Sequence, residues 1–205
     1  MKKFTSFIFF ILLVFCLTGN AGAVLYSYDF STMGFSDGQN LEGMTRDYAT
    51  FTSETTDLTY YSSYGAGIGT GYAWGAAGDI YISFSTPVAN LSFRAGDGGG
   101  DLDAYAVTLY AYGTNALIGT WQTPQFDGGN GEWYTLNVTA SNIGSIVFDP
   151  GNAGNLPGTK EGLGGVIMTD FSYNAQPVPI PAALWLLGSG LIGLAGFRRR
   201  MGKQS

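Results

Sequence analysis

From Ile180 to Phe197 the chain carries no charged residue, and Arg198, Arg199 and Arg200 follow at once. At about 1.5 Å rise per residue these positions make a helix of roughly 27 Å, close to the thickness of a bilayer core. The arginines hold their end in the cytoplasm, so everything N-terminal to the helix is expected on the other side. Just ahead of the apolar run stand Pro179 and Pro181, which cannot both sit inside a helix. Each pushes its predecessor to extended geometry, so residues 178–180 are expected to present a stretched backbone at the membrane surface.

The order Val178-Pro179-Ile180-Pro181-Ala182, then Ala183-Leu184-Trp185-Leu186-Leu187-Gly188-Ser189-Gly190-Leu191, then the arginine cluster resembles the PEP-CTERM sorting signal of Gram-negative bacteria. The closest form is the variant whose motif reads V-P-L-P-A, with Ile180 in the place of its leucine. The resemblance implies recognition by an exosortase, a membrane-embedded transpeptidase-like enzyme that cuts near the proline motif. The tail would then stay behind, as a GPI signal does. The alternative is a permanent single-pass anchor, for which the proline motif has no use.

The other end of the chain predicts export. Lys2 and Lys3 form a basic start, Phe7 to Leu17 an apolar stretch, and Ala21-Gly22-Ala23 a small-residue cleavage site. This is the pattern of a secretory signal peptide removed by signal peptidase after Ala23. The single cysteine, Cys16, lies inside it behind Phe15, so neither lipidation nor a disulfide is expected. The expected division is a signal peptide at 1–23, an exported domain at 24–174, and a linker with the sorting segment at 175–205. Within the last, the proline motif covers 178–182, the membrane helix about 181–197 and the basic tail 198–205.

Charge follows the same division. Between the two terminal segments lie three basic residues, Arg46, Arg94 and Lys160, against all fifteen acids, a net charge of −12. Such a surface repels phosphate backbones, which argues against nucleic acid as a partner. Solubility is reason enough for the acidity. There is no histidine anywhere, so a Ser-His-Asp triad is excluded and the commonest general base is missing. Paired carboxylates, Asp101 with Asp103 or Asp127 with Glu132, are the nearest approach to glycosidase chemistry, and a non-enzymatic role is expected.

The exported part reads as β-structure. Residues 79–85 and 104–112 alternate cleanly, the first placing Ile80, Ile82 and Phe84 on one face, the second Tyr105, Val107, Leu109 and Ala111, with Thr108 and Tyr110 opposite. Further strands are expected at 24–30, 49–53, 58–61, 88–95, 117–122, 132–138, 143–148 and 166–173. Gly- and Asp-rich separators at 97–101, 126–131 and 149–152 read as turns. Many short strands without a sizeable helix predict an all-β fold, a two-sheet jelly-roll-like sandwich flanked by the signal peptide and the terminal helix. The pattern across roughly 80–173 also resembles galactose-binding-like sandwiches.

Two kinds of site stand out. Asp97, Asp101 and Asp103 gather oxygen ligands on one Gly-rich loop, and Asp29 with Asp170 would meet across the first and last strands if these pair. Calcium is the ion such groups suit, although the EF-hand spacing is not met and a solvated acidic turn needs no metal. Among the aromatics, Tyr72 and Trp74 in Gly71-Tyr72-Ala73-Trp74-Gly75 are placed to stack on sugar rings from a loop, whereas Trp121 and Trp133 are expected to pack the sandwich. A structural or adhesive component of the cell surface or exopolysaccharide matrix, bridged by Ca²⁺, and a glycan-binding module using loop aromatics are the two functions these features support.

Overall fold

The computed structural model describes residues 22–62, 65–70, 78–96, 102–127, 133–150 and 166–176. These carry thirteen strands in chain order: β1 Val24–Asp29, β2 Met44–Arg46, β3 Ala49–Ser53, β4 Thr59–Tyr61, β5 Gly67–Gly69, β6 Ile80–Gly96, β7 Leu102–Asp103, β8 Ala106–Ala111, β9 Leu117–Gln122, β10 Phe126–Asp127, β11 Trp133–Val138, β12 Ile143–Asp149 and β13 Ile167–Ala175. The only helical element among the described residues is a 3₁₀ turn, Phe30–Thr32, capped by the Asp29 carboxylate accepting from the Ser31 N–H. No helix among these residues is long and apolar enough to cross a membrane. The terminal segments 1–21 and 177–205, with Ala21 and the sorting motif, lie outside the described residues.

β6 holds the fold together. Its first half pairs with β3 on one side and β12 on the other, while its second half pairs with β13 and β11. One sheet therefore runs β2-β3-β6-β12-β8-β9, and the other gathers β13, β11, β1, β5 and β4 around the far half of β6. The sequence pattern predicts a break at Thr86-Pro87, and this is corrected: the chain bends there but stays extended. Proline is tolerated because the strand is changing sheets and no ladder partner needs its missing N–H, while its carbonyl accepts from the Gln176 N–H at 3.0 Å. Asn90, at φ 49°, absorbs the local twist.

The two inner faces meet in an aromatic core. Phe171 on β13 lies 5.9 Å from Phe51, 6.3 Å from Phe84 and 5.0 Å from Phe93, ring centre to ring centre. Tyr105 joins the sheets by its hydroxyl, which donates to the Tyr134 carbonyl at 2.9 Å and accepts from the Leu136 N–H at 3.2 Å. Burial raises its pKa well above the ordinary phenol value, against the lowering effect of the Leu136 N–H. The inward alternation expected for Ile80, Ile82 and Phe84, and for Tyr105, Val107 and Leu109, is observed.

Some boundaries differ from the sequence pattern. Phe30 leaves β1 to begin the 3₁₀ turn, and Phe126–Asp127, expected in a turn, pairs with Leu102–Asp103. The three-residue strands β2 and β5 have no alternation long enough to announce them. In β5 the backbone lies so close to Met168 that a Cβ at Gly67 would sit 2.6 Å from its carbonyl oxygen, which explains why glycine can form a strand there.

One rung marks an end of the sandwich. Val24 pairs with Ala175, Ala175 with Val88, Val88 with Ile143, and Ile143 with Ala111. The β2–β3 and β8–β9 turns and the β6 bend lie at this end, and here the chain leaves β13 toward the C-terminal segment. At the opposite end are Ser53, Gly96, Trp133, Asp149 and Ile167.

Candidate functional site

On the outer face of the first sheet, β6, β12, β8 and β9 lie side by side. Tyr81 pairs with Val147, Val147 with Thr108, and Thr108 with Thr120, so four side chains form one transverse row pointing away from the core. The Thr108 and Thr120 hydroxyls are 3.0 Å apart and share a hydrogen bond, which orients both. The next row toward the β6 bend carries Ser83, Ser145 and Tyr110 in register. Toward the opposite end it carries Asp149, Ala106 and Gln122.

Together with Asp79 these residues line an open groove of about 490 Å³. Two half-buried tyrosines, Tyr81 and Tyr110, supply ring faces and edges. Threonine hydroxyls and the Gln122 amide supply donors and acceptors, and the two aspartates sit toward the end remote from the bend. The volume falls within the range of small-molecule sites, and the openness of the groove suits a ligand lying along the sheet. No lysine, arginine or histidine lines it.

This site was only half visible in the sequence. The alternation puts Thr108 and Tyr110 opposite the core, but nothing local says that Tyr81 and Thr120 lie beside them, because that depends on which strands are neighbours. Of the loop aromatics, Tyr72 and Trp74 lie outside the described residues. Trp121 packs against the core from β9, as expected. Trp133 lies beneath the Arg94 guanidinium, 5.3 Å from ring centre to Cζ, with the Gly65 backbone against its ring. Tyr60, on β4, is buried in the core.

The acidic candidates divide likewise. Asp97 and Asp101 lie outside the described residues, and Asp103 is described only as a strand position of β7. Asp29 and Asp170 are direct register partners of β1 and β13, as anticipated. Their carboxylates are committed to separate tasks: Asp29 accepts from the N–H of Ser31 at 3.0 Å, and Asp170 accepts from Arg94 at 3.3 Å and from the Thr169 hydroxyl at 3.0 Å. Among the described residues no group of three or more metal-ligating side chains comes together. Ala23, the other small residue of the cleavage site, is exposed just before β1.

A second concavity of about 280 Å³ lies beside the β2–β3 turn, lined by Ser27, Tyr28, Asp29, Thr32, Met33, Arg46 and Asp47. Behind it two buried tyrosines clamp that turn. Tyr28 donates to the Arg46 carbonyl at 3.0 Å, Tyr173 donates to the Asp47 carbonyl, and the two hydroxyls touch at 3.0 Å. Burial pushes Tyr28 up to about 12, partly offset by the Tyr173 hydroxyl. It pushes Tyr173 up as well, with Tyr28 adding to the effect.

No family model matches the chain, and no curated protein matches it. Several solved structures resemble it in part. An exo-β-1,3-galactanase from Phanerochaete chrysosporium, solved with galactose, is 14% identical at TM-score 0.35, over 75% of this chain and 29% of that one. The K2 cleaved adhesin domain of Lys-gingipain is 13% identical at TM-score 0.38, over 73% and 99%. A carbohydrate-binding module of Cellvibrio mixtus lichenase 5A, in complex with cellotriose, is 14% identical at TM-score 0.29, over 69% and 98%. This chain thus spans less than a third of the galactanase. Superpositions at these scores are partial, and the all-β, two-sheet architecture rests on the strand pairings themselves.

Proposed function

We propose that this chain is an exported, non-enzymatic β-sandwich that binds glycan along the outer face of β6, β12, β8 and β9 and is delivered to the cell surface or exopolysaccharide matrix by its C-terminal segment. The observation that carries the binding role is the groove: ring faces from Tyr81 and Tyr110 beside ordered hydroxyls from Thr108 and Thr120. Sugars have apolar ring faces and dense hydroxyls, and this lining offers partners for both. Without a cationic lining residue the groove favours neutral or amine-bearing chains over uronate-rich ones.

The test is affinity electrophoresis of the protein in gels containing polysaccharides from its own host. Retardation is expected with at least one neutral polysaccharide, and Tyr81→Ala with Tyr110→Ala should weaken it about tenfold or more. Unchanged retardation in the double variant would remove the groove from the account. Release of reducing sugar from the same polysaccharide would replace binding with hydrolysis, with Asp79 and Asp149 the first carboxylates to change.

Delivery by the terminal segment has its own test. Intact mass is expected to show a chain starting near Val24 and ending within 178–182, made only when the exosortase is present. A product that keeps Arg200 in both strains would instead make this a permanently anchored ectodomain. The structural reading is supported by the acidity of the exported part, −12 overall. It predicts Ca²⁺-dependent self-association or matrix retention, and sedimentation that ignores millimolar Ca²⁺ would count against it.

A further inference from the structure

The end of the sandwich from which the C-terminal segment departs differs in kind from the rest of the surface. Among the described residues, the exposed large hydrophobic side chains, Val24, Leu25, Tyr48, Tyr112, Leu117 and Ile118, lie within a few residues of the Val24–Ala175–Val88–Ile143–Ala111 rung. Leu25 is 66% exposed and Leu117 64%, on strands of the two different sheets. Between them Tyr48 and Tyr112 meet at Ser85, whose N–H donates to the Tyr48 carbonyl at 2.9 Å and whose carbonyl accepts from the Tyr112 hydroxyl at 2.9 Å. The result is a collar of aliphatic and tyrosine side chains around one end.

Charge is distributed in the opposite sense. Among the described residues this end is sparsely charged: Arg46 and Asp47 face each other at 3.8 Å in the β2–β3 turn, and Asp29 lines the concavity beside them. Glu54, Asp57, Asp79 and Asp149 lie toward the other end, as do the strand ends carrying Asp103 and Asp127.

The sequence sets how far this end can stand from a bilayer. Only four residues, and so five residue steps, separate Ala175, the last of β13, from Ile180, where the uncharged run begins. Fully extended they reach at most about 17 Å. β13 itself, nine residues long, covers roughly 30 Å. The tether is therefore too short for the sandwich to turn end over end, and it keeps Ala175, on the collar's rung, within about 17 Å of the point where the uncharged run begins.

We propose that, while the C-terminal segment is attached, the collar of Val24, Leu25, Tyr48, Tyr112, Leu117 and Ile118 docks on the lipid headgroup layer that the segment enters. This rests on the reading of residues 181–197 as membrane-spanning. Tyrosine places its ring among the acyl carbons with its hydroxyl at the headgroups, and leucine adds apolar area. Docking holds residues 178–182 at headgroup depth, where a membrane-embedded processing enzyme can reach them, and points the acidic end outward. The groove on the first sheet remains open to the exterior.

The experiment uses the full chain with Cys16→Ser, reconstituted in phosphatidylethanolamine–phosphatidylglycerol vesicles of ratio 3:1. A nitroxide is placed at Thr114→Cys on the β8–β9 turn or at Gln125→Cys near the opposite end. Membrane depth is read from the relaxation of each label by oxygen against a water-soluble nickel chelate. Thr114 should report headgroup depth and Gln125 bulk water, and Leu25→Ser with Leu117→Ser should raise nickel accessibility at position 114 at least threefold. If both labels report bulk water while the chain resists alkaline carbonate extraction, docking is overturned and the membrane span survives. If carbonate removes the chain, the span fails and the docking proposal falls with it.

Discussion

The two ends of the sandwich solve opposite problems with the same strands. At the departing end the connections are short, the strained turn residues are clamped by buried hydroxyls, and the surface is apolar and sparsely charged. At the opposite end the described carboxylates gather, with Glu54, Asp57, Asp79 and Asp149 at or beside the strand ends. One end is thus built to fix the backbone against something, and the other to stay solvated. The difference also shows that net charge, −12 for the exported part, describes neither end: it averages a sparsely charged collar with a more acidic end.

The comparison requires both ends to hang on one core, and the largest predicted effect tests that. Phe171 contacts Tyr28, Phe51, Phe84, Phe93 and Tyr173. Phe171→Ala should cost about 3–5 kcal/mol, since a fully buried ring leaves a cavity that the surrounding sheets cannot close. Urea unfolding followed by tryptophan fluorescence and by far-ultraviolet dichroism should move to lower midpoint together. Two separated transitions would mean that the ends are independent units.

Alkaline pH should act next, and mainly through the departing end. Tyr28 and Tyr173 are held protonated in the fold above the pH at which they ionise in the unfolded chain. Their contribution is fully present below pH about 10 and is lost as the pH rises toward the folded values. In that window each takes off about 1.4 kcal/mol per pH unit, because the unfolded state binds fewer protons. Tyr105 adds the same slope from the opposite half. Tyr28→Phe with Tyr173→Phe should flatten most of the fall between pH 10 and 12; an unchanged slope in urea titrations would assign alkaline sensitivity elsewhere.

A smaller and more local effect is predicted for Tyr173→Phe alone. It leaves the Asp47 carbonyl without its donor while the ring still packs on Phe84, 4.9 Å away. A loss of about 0.5–1.5 kcal/mol is expected, the net worth of one partly buried hydrogen bond. Amide exchange should quicken at residues 46–49 before it does in β12. Uniform acceleration would deny the turn its separate stability.

What the sequence disclosed follows the same division by range. Ala49–Ser53 and Leu117–Gln122 were legible because alternation is local, and the inward set of Ile80, Ile82 and Phe84 came with it. The passage of β6 between sheets was not, since Pro87 reads as a stop until Gln176 and the partner strands are seen around it. The groove failed for a related reason. Tyr81 and Thr120 are far apart in the chain, and only β12 and β8, interposed in register, bring them onto one row. The collar was hidden more thoroughly: Leu25 and Leu117 look like ordinary strand residues and Tyr48 stands just outside a strand, and their meeting at one end is a property of topology alone.

The smallest predicted effect concerns why Tyr48 occupies its position. Arg46 pairs with Ala49, so Asp47 and Tyr48 form a two-residue turn, with φ of 45° and 76°. This is the mirror-image turn that favours Asp-Gly, and a tyrosine there bears a left-handed backbone cost of about 1–2 kcal/mol. Its ring returns part of that through an edge contact with Tyr26, 5.8 Å away, worth about 0.5–1.5 kcal/mol. Tyr48→Gly should therefore change stability by less than about 1 kcal/mol. Tyr48→Ala, which loses the ring but keeps the strain, should be less stable than Tyr48→Gly by about 1 kcal/mol. If thermal unfolding shows that order while the glycine variant also raises nickel accessibility at position 114, the strained residue is retained for the collar rather than for the turn. If the glycine variant is instead strongly destabilised, Tyr48 belongs to the packing of this end, and the contrast between the ends loses its functional half.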